Sequence, residues 1–311
     1  MPSVYLDQFV YIRLARAGLG RGPAEDVAHH QNVLARAIAG EVRFPLSAVH
    51  YLETWRQANP TRRQELAAEM IRVSRLNTLA PAQISWRAEV RKAVRDLFGT
   101  SMPTVPNPVW GLGAAHALGR DPVTFWPDEL PPPKHAYREM LLLAGVGVDT
   151  ERFAVEEQER HDQQQHFADT QTALAEQIAA WPTSRAKRRE RIRLQTLADF
   201  SDDIVPELIG AGVALELLHS LGAEGLERFL RAIPTLWVLT ELRRVRYANP
   251  QQGFTPHDLY DLRALACAIA YCDVVVTDAA WCDAVRRTDL ASRFHTSVIN
   301  DIADIENALA R

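Results

Sequence analysis

Residues 254–278, FTPHDLYDLRALACAIAYCDVVVTD, decide the fold class. Thr255 suits a helix N-cap and Pro256 suits the first helical position, where a missing N–H costs nothing. Asp258 stands three residues after Thr255, where an acid completes a capping box, and Asp261 follows a turn later. Residues 262–270 are small and apolar, the composition of a helix buried on most sides. Asp273 breaks that run. Val274, Val275 and Val276 are β-branched and continuous, which predicts a short buried strand closed by Thr277 and Asp278. The unit reads acid, buried helix, buried strand, acid. Ligand sites of open α/β sheets lie beyond the carboxyl ends of the strands. Asp278 is expected at that edge, and Asp261 is expected to reach it from the start of the preceding helix.

The N-terminus repeats this logic. Val4, Tyr5 and Leu6 predict a short strand ending at Asp7, and helical spacing follows through Val10, Ile12 and Leu14 to a turn at 18–22. A second amphipathic helix is predicted over 24–38, stopping at Gly40. Residues 42–46 read as another brief strand, with Pro45 marking an edge or an end. Ser47 suits an N-cap, and the helix it opens carries His50 and Glu53 three residues apart on one face. Glu53 can serve a site or pair with Arg56 of its own helix. His50 is expected to be packed or hydrogen-bonded rather than a ligand.

Over 81–231 strand signals almost vanish. Proline-rich connectors at 103–108 and 127–133 separate helical runs, among them 86–98 with Ser85 as N-cap, 138–144, a long polar helix over 150–180, 205–221 and 226–233. Arg185, Lys187, Arg188, Arg189, Arg191 and Arg193 form a dense basic run. This block reads as a helical insertion. After Pro234 a helix with Arg243, Arg244 and Arg246 returns to residues 254–278. Then come a short helix over 281–287, a final strand over 294–299 and a last helix over 301–309. The chain therefore divides into an α/β core, 1–80 with 232–311, and a helical insertion, 81–231.

Composition narrows the class further. Hydrophobic residues make up 47% and charged residues 24%, ordinary for a soluble globular protein, and no apolar run approaches the length of a bilayer span. MPSVYLDQF lacks a basic segment followed by an apolar core, so no signal peptide is expected. Cys267, Cys272 and Cys282 predict reduced, packed thiols in a cytoplasmic protein rather than a zinc site. A net charge of −4 means that any polyanion must be drawn by local basic patches.

Asp7, Glu53, Asp261 and Asp278 stand out by location. Parallel strands would bring all four to one sheet edge, where crowded carboxylates raise one another's pKa until a divalent cation removes the penalty. Oxygen ligands without Cys or His favour Mg²⁺ or Mn²⁺ over zinc, and such an ion supports phosphodiester hydrolysis.

YLDQF, PLSAVHYLE, DLRALACAIA and VVVTD, in this order, resemble the motifs of the PIN-domain family of metal-dependent nucleases. The resemblance covers about the first and last eighty residues. It implies a PIN-like three-layer α/β fold with a central, mostly parallel sheet, in an enlarged member carrying a helical insertion. It implies that Asp7, Glu53, Asp261 and Asp278 hold Mg²⁺ or Mn²⁺, with Asp258 as an auxiliary ligand or a capping acid and Thr277 supporting the last acid. Where family members often carry a small polar residue two positions after the first Asp, this chain has Phe9, with Gln8 beside it. Arg243, Arg244 and Arg246, or Arg188 and Arg189 of the basic run, are the candidates for contacting phosphates. The implied activity is an endoribonuclease acting on RNA, with toxin-like members of the family adding an inhibitory protein partner; a homo-oligomer is a further partner left open. A single-strand or structure-selective DNA nuclease is the first alternative. The second is an inactive PIN-like module that binds nucleic acid or protein, which Phe9 favours.

Overall fold

The computed structural model describes residues 1–101, 103–121, 131–146, 150–210, 212–213, 220–249, 251 and 253–310. The connector expected over 127–133 and the helix expected over 205–221 lie partly outside these. The fold mixes helix with a small parallel sheet, and helix dominates at 69% of residues. The chain forms two compact units.

The first unit comprises Met1–Pro81, Trp110–Gln158 and Tyr271–Arg311. Its sheet contains β1 (Val4–Leu6), β4 (Val274–Val276) and β5 (Ser297–Ile299), in the order β1-β4-β5 and parallel throughout. Val4 pairs with Val274 and Leu6 with Val276, which pairs in turn with Ile299. The register therefore brings all three strand ends to the same edge. Alternation sends Val4, Leu6, Val274 and Val276 to one face, where they join Val10, Tyr11, Leu14, Tyr51 and Met70 in the core. Tyr5 and Val275 take the other face and are equally buried, so the central run of three valines is covered on both sides. Ser3 fixes the opposite end of the pairing, since its N–H and hydroxyl both donate to Asp273 at 2.8 and 2.7 Å.

Helices α1 (Gln8–Gly18), α2 (Ala24–Ala39), α3 (Ala48–Arg56) and α4 (Pro60–Ser74) follow β1. Gly40 ends α2 in the left-handed region at φ 69°, the glycine stop its sequence predicts. Residues 42–46 do not form the expected strand. Arg43 makes a single bridge to Ser3 and Leu46 a single bridge to Thr78. Pro45 between them has no N–H to continue a ladder. A two-stranded antiparallel sheet, β2 (Asn77–Leu79) with β3 (Trp110–Leu112), falls where no strand is expected from the sequence. α6 (Gly113–Ala117) and α7 (Pro132–Leu143) then precede the long α8 (Thr150–Ala180). Beyond β4 lie α14 (Ala279–Arg286), α15 (Leu290–Phe294), and, after β5, a 3₁₀ turn (Ile302–Asp304) and α16 (Ile305–Leu309).

The second unit comprises Ala82–Val109 and Glu159–Ala270. It holds α5 (Ala82–Phe98), the later part of α8, α9 (Arg185–Asp199), α10 (Ser201–Gly210), α11 (Gly222–Arg231), α12 (Pro234–Tyr247) and most of α13 (Asp258–Tyr271). α5 begins at Ala82, directly after Pro81, so Ser85 is a buried residue inside the helix rather than its cap. Glu89 is buried on α5, and its carboxylate accepts from the Thr235 N–H and hydroxyl at 3.1 and 2.8 Å, capping the start of α12. Compactness thus divides the chain differently from the boundaries drawn on the sequence. Residues 110–158 go with the sheet because β3 pairs with β2, and 232–270 go with the helices because α12 packs on α5, α9 and α11.

Candidate active site

The register of β1 on β4 builds the site. Asp7 follows the last residue of β1, and its N–H continues the ladder to Val276 O at 3.0 Å. Thr277 and Asp278 follow the last residue of β4. Asp7 and Asp278 therefore stand on neighbouring strands at the same carboxyl edge. Each is also an N-cap: Asp7 Oδ1 accepts from Gln8 N–H at 2.6 Å at the start of α1, and Asp278 Oδ1 accepts from Trp281 N–H at 2.9 Å at the start of α14. Two helix N-termini, with their partial positive charge, face the same edge.

The two carboxyls differ in environment. Asp278 is exposed, whereas Asp7 is half-buried. Burial raises the Asp7 pKa above the ordinary value; the bonds from Gln8 and Thr277 oppose that rise, and the charge of Asp278 adds to it. The Thr277 hydroxyl, fully buried, donates to Asp7 Oδ2 at 3.0 Å. Thr277 thus holds the first acid, where the resemblance implies that it supports the last. Phe9 leaves no gap in this arrangement, because Asp7 is oriented by backbone and by Thr277 rather than by the residue two positions on.

α3 is anchored beside the end of β1. His50 is buried at the third position of α3. Its Nδ1 accepts from Ser47 N–H at 2.9 Å, which the unprotonated nitrogen alone can do, so Nε2 carries the proton and donates to Leu6 O at 2.8 Å. Burial pulls the His50 pKa down to about 4. The ring is therefore neutral at pH 7 and serves as a structural tie. Gln8 Nε2 donates to Thr54 Oγ1 at 3.0 Å, joining the neighbour of Asp7 to the neighbour of Glu53. Glu53 is half-buried on this helix.

Asp261 and Asp258 belong to the second unit. Asp258 is buried, accepts from Thr255 N–H at 2.7 Å and pairs with Arg246, so it is a capping acid inside an ion pair. Arg243 is 2% exposed and bonded to Asp199, Gln171 at 2.8 Å and Tyr247. Arg244 pairs with Glu241 at 2.7 Å. These internal pairs withdraw Arg243 and Arg246 from the phosphate-contacting role expected of them, because a guanidinium buried against its own carboxylate has no face left for a polyanion, while Arg244 is half-buried in its pair. Arg188 is half-buried and donates to Trp181 O at 2.9 Å, while Arg189 is exposed on α9 together with Arg185, Lys187 and Arg191.

One strand-end acid escapes sequence reading. Asp301 follows β5 by two residues, caps the 3₁₀ turn through Ala303 N–H at 3.2 Å, and faces Arg13 of α1 at 3.5 Å. The signal for it lies in the pattern strand, short link, acid, which it shares with Asp7 and Asp278.

Among the described residues, no group of three or more His, Cys, Asp or Glu side chains is arranged to hold a metal ion. Asp7 and Asp278 supply carboxylate oxygens of the kind a hard cation takes, without thiol or imidazole. Two carboxylates suit Mg²⁺, which keeps several waters and takes one or two protein acids. No protein-family model matches the chain, and neither a curated protein nor a solved structure does. Among the described residues, no helix is long and apolar enough to cross a membrane.

Proposed function

We propose that this protein is a Mg²⁺- or Mn²⁺-dependent endoribonuclease built on a PIN-like α/β core. The observation that carries the reading is the pair Asp7 and Asp278: two acids at the carboxyl ends of adjacent parallel strands, one of them in surroundings that disfavour its charge. Burial and the Asp278 charge disfavour ionised Asp7, and a cation shared by the two is the direct remedy. Asp7 and Asp278 would hold that ion directly, with waters at its other positions and Glu53 of the same unit acting through water rather than as a third direct ligand. When bound, it supplies Lewis acidity toward a phosphoryl oxygen and acidifies water. Thr277 keeps Asp7 oriented and favours its ionised form. His50 takes no part in proton transfer near neutral pH and keeps α3 in place. Arg185, Lys187, Arg189 and Arg191 of α9 attract the nucleic-acid backbone.

The test is cleavage of single-stranded RNA, with single-stranded DNA in parallel, in the presence of Mn²⁺. Activity is expected to vanish in chelator and to fall by about a hundredfold or more in Asp7→Asn and in Asp278→Asn, since several kcal/mol of charge stabilisation depend on the ion. Cleavage that survives both substitutions rejects the site.

A second reading, a PIN-like module that binds nucleic acid or protein without cutting, is favoured by a different observation. Both acids already serve as helix caps, and no three-acid group accompanies them among the described residues. RNA binding without cleavage and without Mn²⁺ uptake selects it.

A further inference from the structure

The second unit holds a pocket of about 290 Å³ that none of the candidate-site acids lines. Helices wall it, most through residues four apart: Ala82 and Trp86 of α5, Phe167 and Gln171 of α8, Leu239 and Arg243 of α12. α13 contributes the continuous face Leu259, Leu262, Arg263 and Ala266, and Asp199 and Phe200 close the end of α9. The walls are largely aromatic and aliphatic. Trp86 and Phe200 meet edge to face, with ring centroids 4.6 Å apart.

The polar groups of this pocket are unequally satisfied. Asp199 and Gln171 both accept from the Arg243 guanidinium, forming a corner that needs no ligand. Two donors are left over. Trp86 is 4% exposed and its indole N–H is buried without an acceptor among the described residues. Arg263 is exposed on α13 and has no carboxylate within ion-pair distance there, Asp203 acting on it only from longer range. Two guanidiniums against one carboxylate leave the lining with a single excess positive charge. Leftover donors with no leftover acceptor call for a ligand that only accepts. A single planar guanidinium matches a carboxylate fork, and aromatic walls favour a flat apolar body.

We propose that this pocket binds a small aromatic carboxylate, its carboxylate on Arg263 and the Trp86 N–H, and its ring among Trp86, Phe167 and Phe200. The volume lies at the small end of ligand cavities, roughly 300–1,000 Å³, so one fused ring system fills it. The proposal is independent of the nuclease reading, because none of these residues serves the acids.

Isothermal titration of the full chain with 2-naphthoate, 2-naphthylmethanol and 2-naphthyl phosphate tests it. The parent protein is expected to bind 2-naphthoate about tenfold or more tighter than the neutral alcohol, the difference made by charge-assisted bonds. In Arg263→Gln that preference disappears while the alcohol still binds, showing the pocket intact, and Arg263→Lys keeps part of it. Trp86→Phe, which retains the apolar wall, weakens 2-naphthoate several-fold and leaves the alcohol unchanged. Asp7→Asn binds all three ligands as the parent does. Absence of binding to 2-naphthoate at millimolar concentration, equal affinity for acid and alcohol, tighter binding of the phosphate ester, or an unaltered preference in Arg263→Gln each overturns the assignment.

Discussion

Asp7 is the residue at which a structural and a functional explanation compete. Asp7, Asp278 and Asp301 each follow a parallel strand and cap the helical turn that comes next. An N-cap contributes about 0.5–2 kcal/mol, reason enough for an acid at each position taken singly. Capping does not account for the buried Thr277 hydroxyl on the second oxygen of Asp7, nor for a second negative charge placed beside a carboxyl that burial already disfavours. The Thr277 bond lowers the Asp7 pKa, so Thr277→Val, which keeps the shape and removes the donor, raises it further. A smaller fraction of Asp7 is then ionised at any given acidic pH. The acid limb of the kcat/KM profile for RNA cleavage is expected to move to higher pH, with a larger loss at pH 6 than at pH 8; an unmoved limb removes Thr277 from the site. The position of Asp7 was legible in YLDQF because an apolar run delivers it. The Thr277 partner was not, because that bond depends on the register of two strands separated by most of the chain.

At the scale of elements, VVVTD announced a buried strand because three consecutive β-branched residues suit only a sheet covered on both faces. β2 and β3 went unseen because NTL and WGL are too short for any period to show. Residues 42–46 looked like a strand and became two isolated bridges around Pro45. His50 ties α3 to the end of β1, and this has a pH signature. The folded pKa of His50, about 4, lies below the ordinary value of 6.5 for histidine. Below pH 6.5 the unfolded chain takes up a proton that the folded chain refuses, so this contribution is complete above pH 6.5 and is lost as pH falls toward 4. The loss amounts to roughly 3 kcal/mol for this fully buried ring. Urea unfolding of the parent and of His50→Gln between pH 7.5 and 4.5 is expected to show the stability of the two converging by about that amount, the parent losing more. Parallel pH curves would mean that the ring titrates in the folded protein.

On the scale of the whole molecule, the two strand-end acids belong to one compact unit and the basic run of α9 to the other. Arginine-rich stretches are the least legible part of this sequence, since a run of cations looks alike whether it is buried in ion pairs or free. Arg243 and Arg246 are buried and paired, whereas Arg185, Lys187, Arg189 and Arg191 are exposed on α9. Replacing those four with Gln is expected to reduce the slope of log K for single-stranded RNA against log salt by about 3, at roughly 0.7 per phosphate neutralised, while Mn²⁺ uptake stays unchanged. An unchanged slope would exclude α9 from the RNA-binding surface. The most direct measurement concerns the ion itself: calorimetric titration of Mn²⁺ into the parent protein, Asp7→Asn and Asp278→Asn, with circular dichroism confirming that all three are folded. A site that takes Mn²⁺ in the parent and is lost in each variant is the expected result; equal Mn²⁺ uptake by all three proteins, or none by the parent, would contradict a cation shared between the ends of β1 and β4.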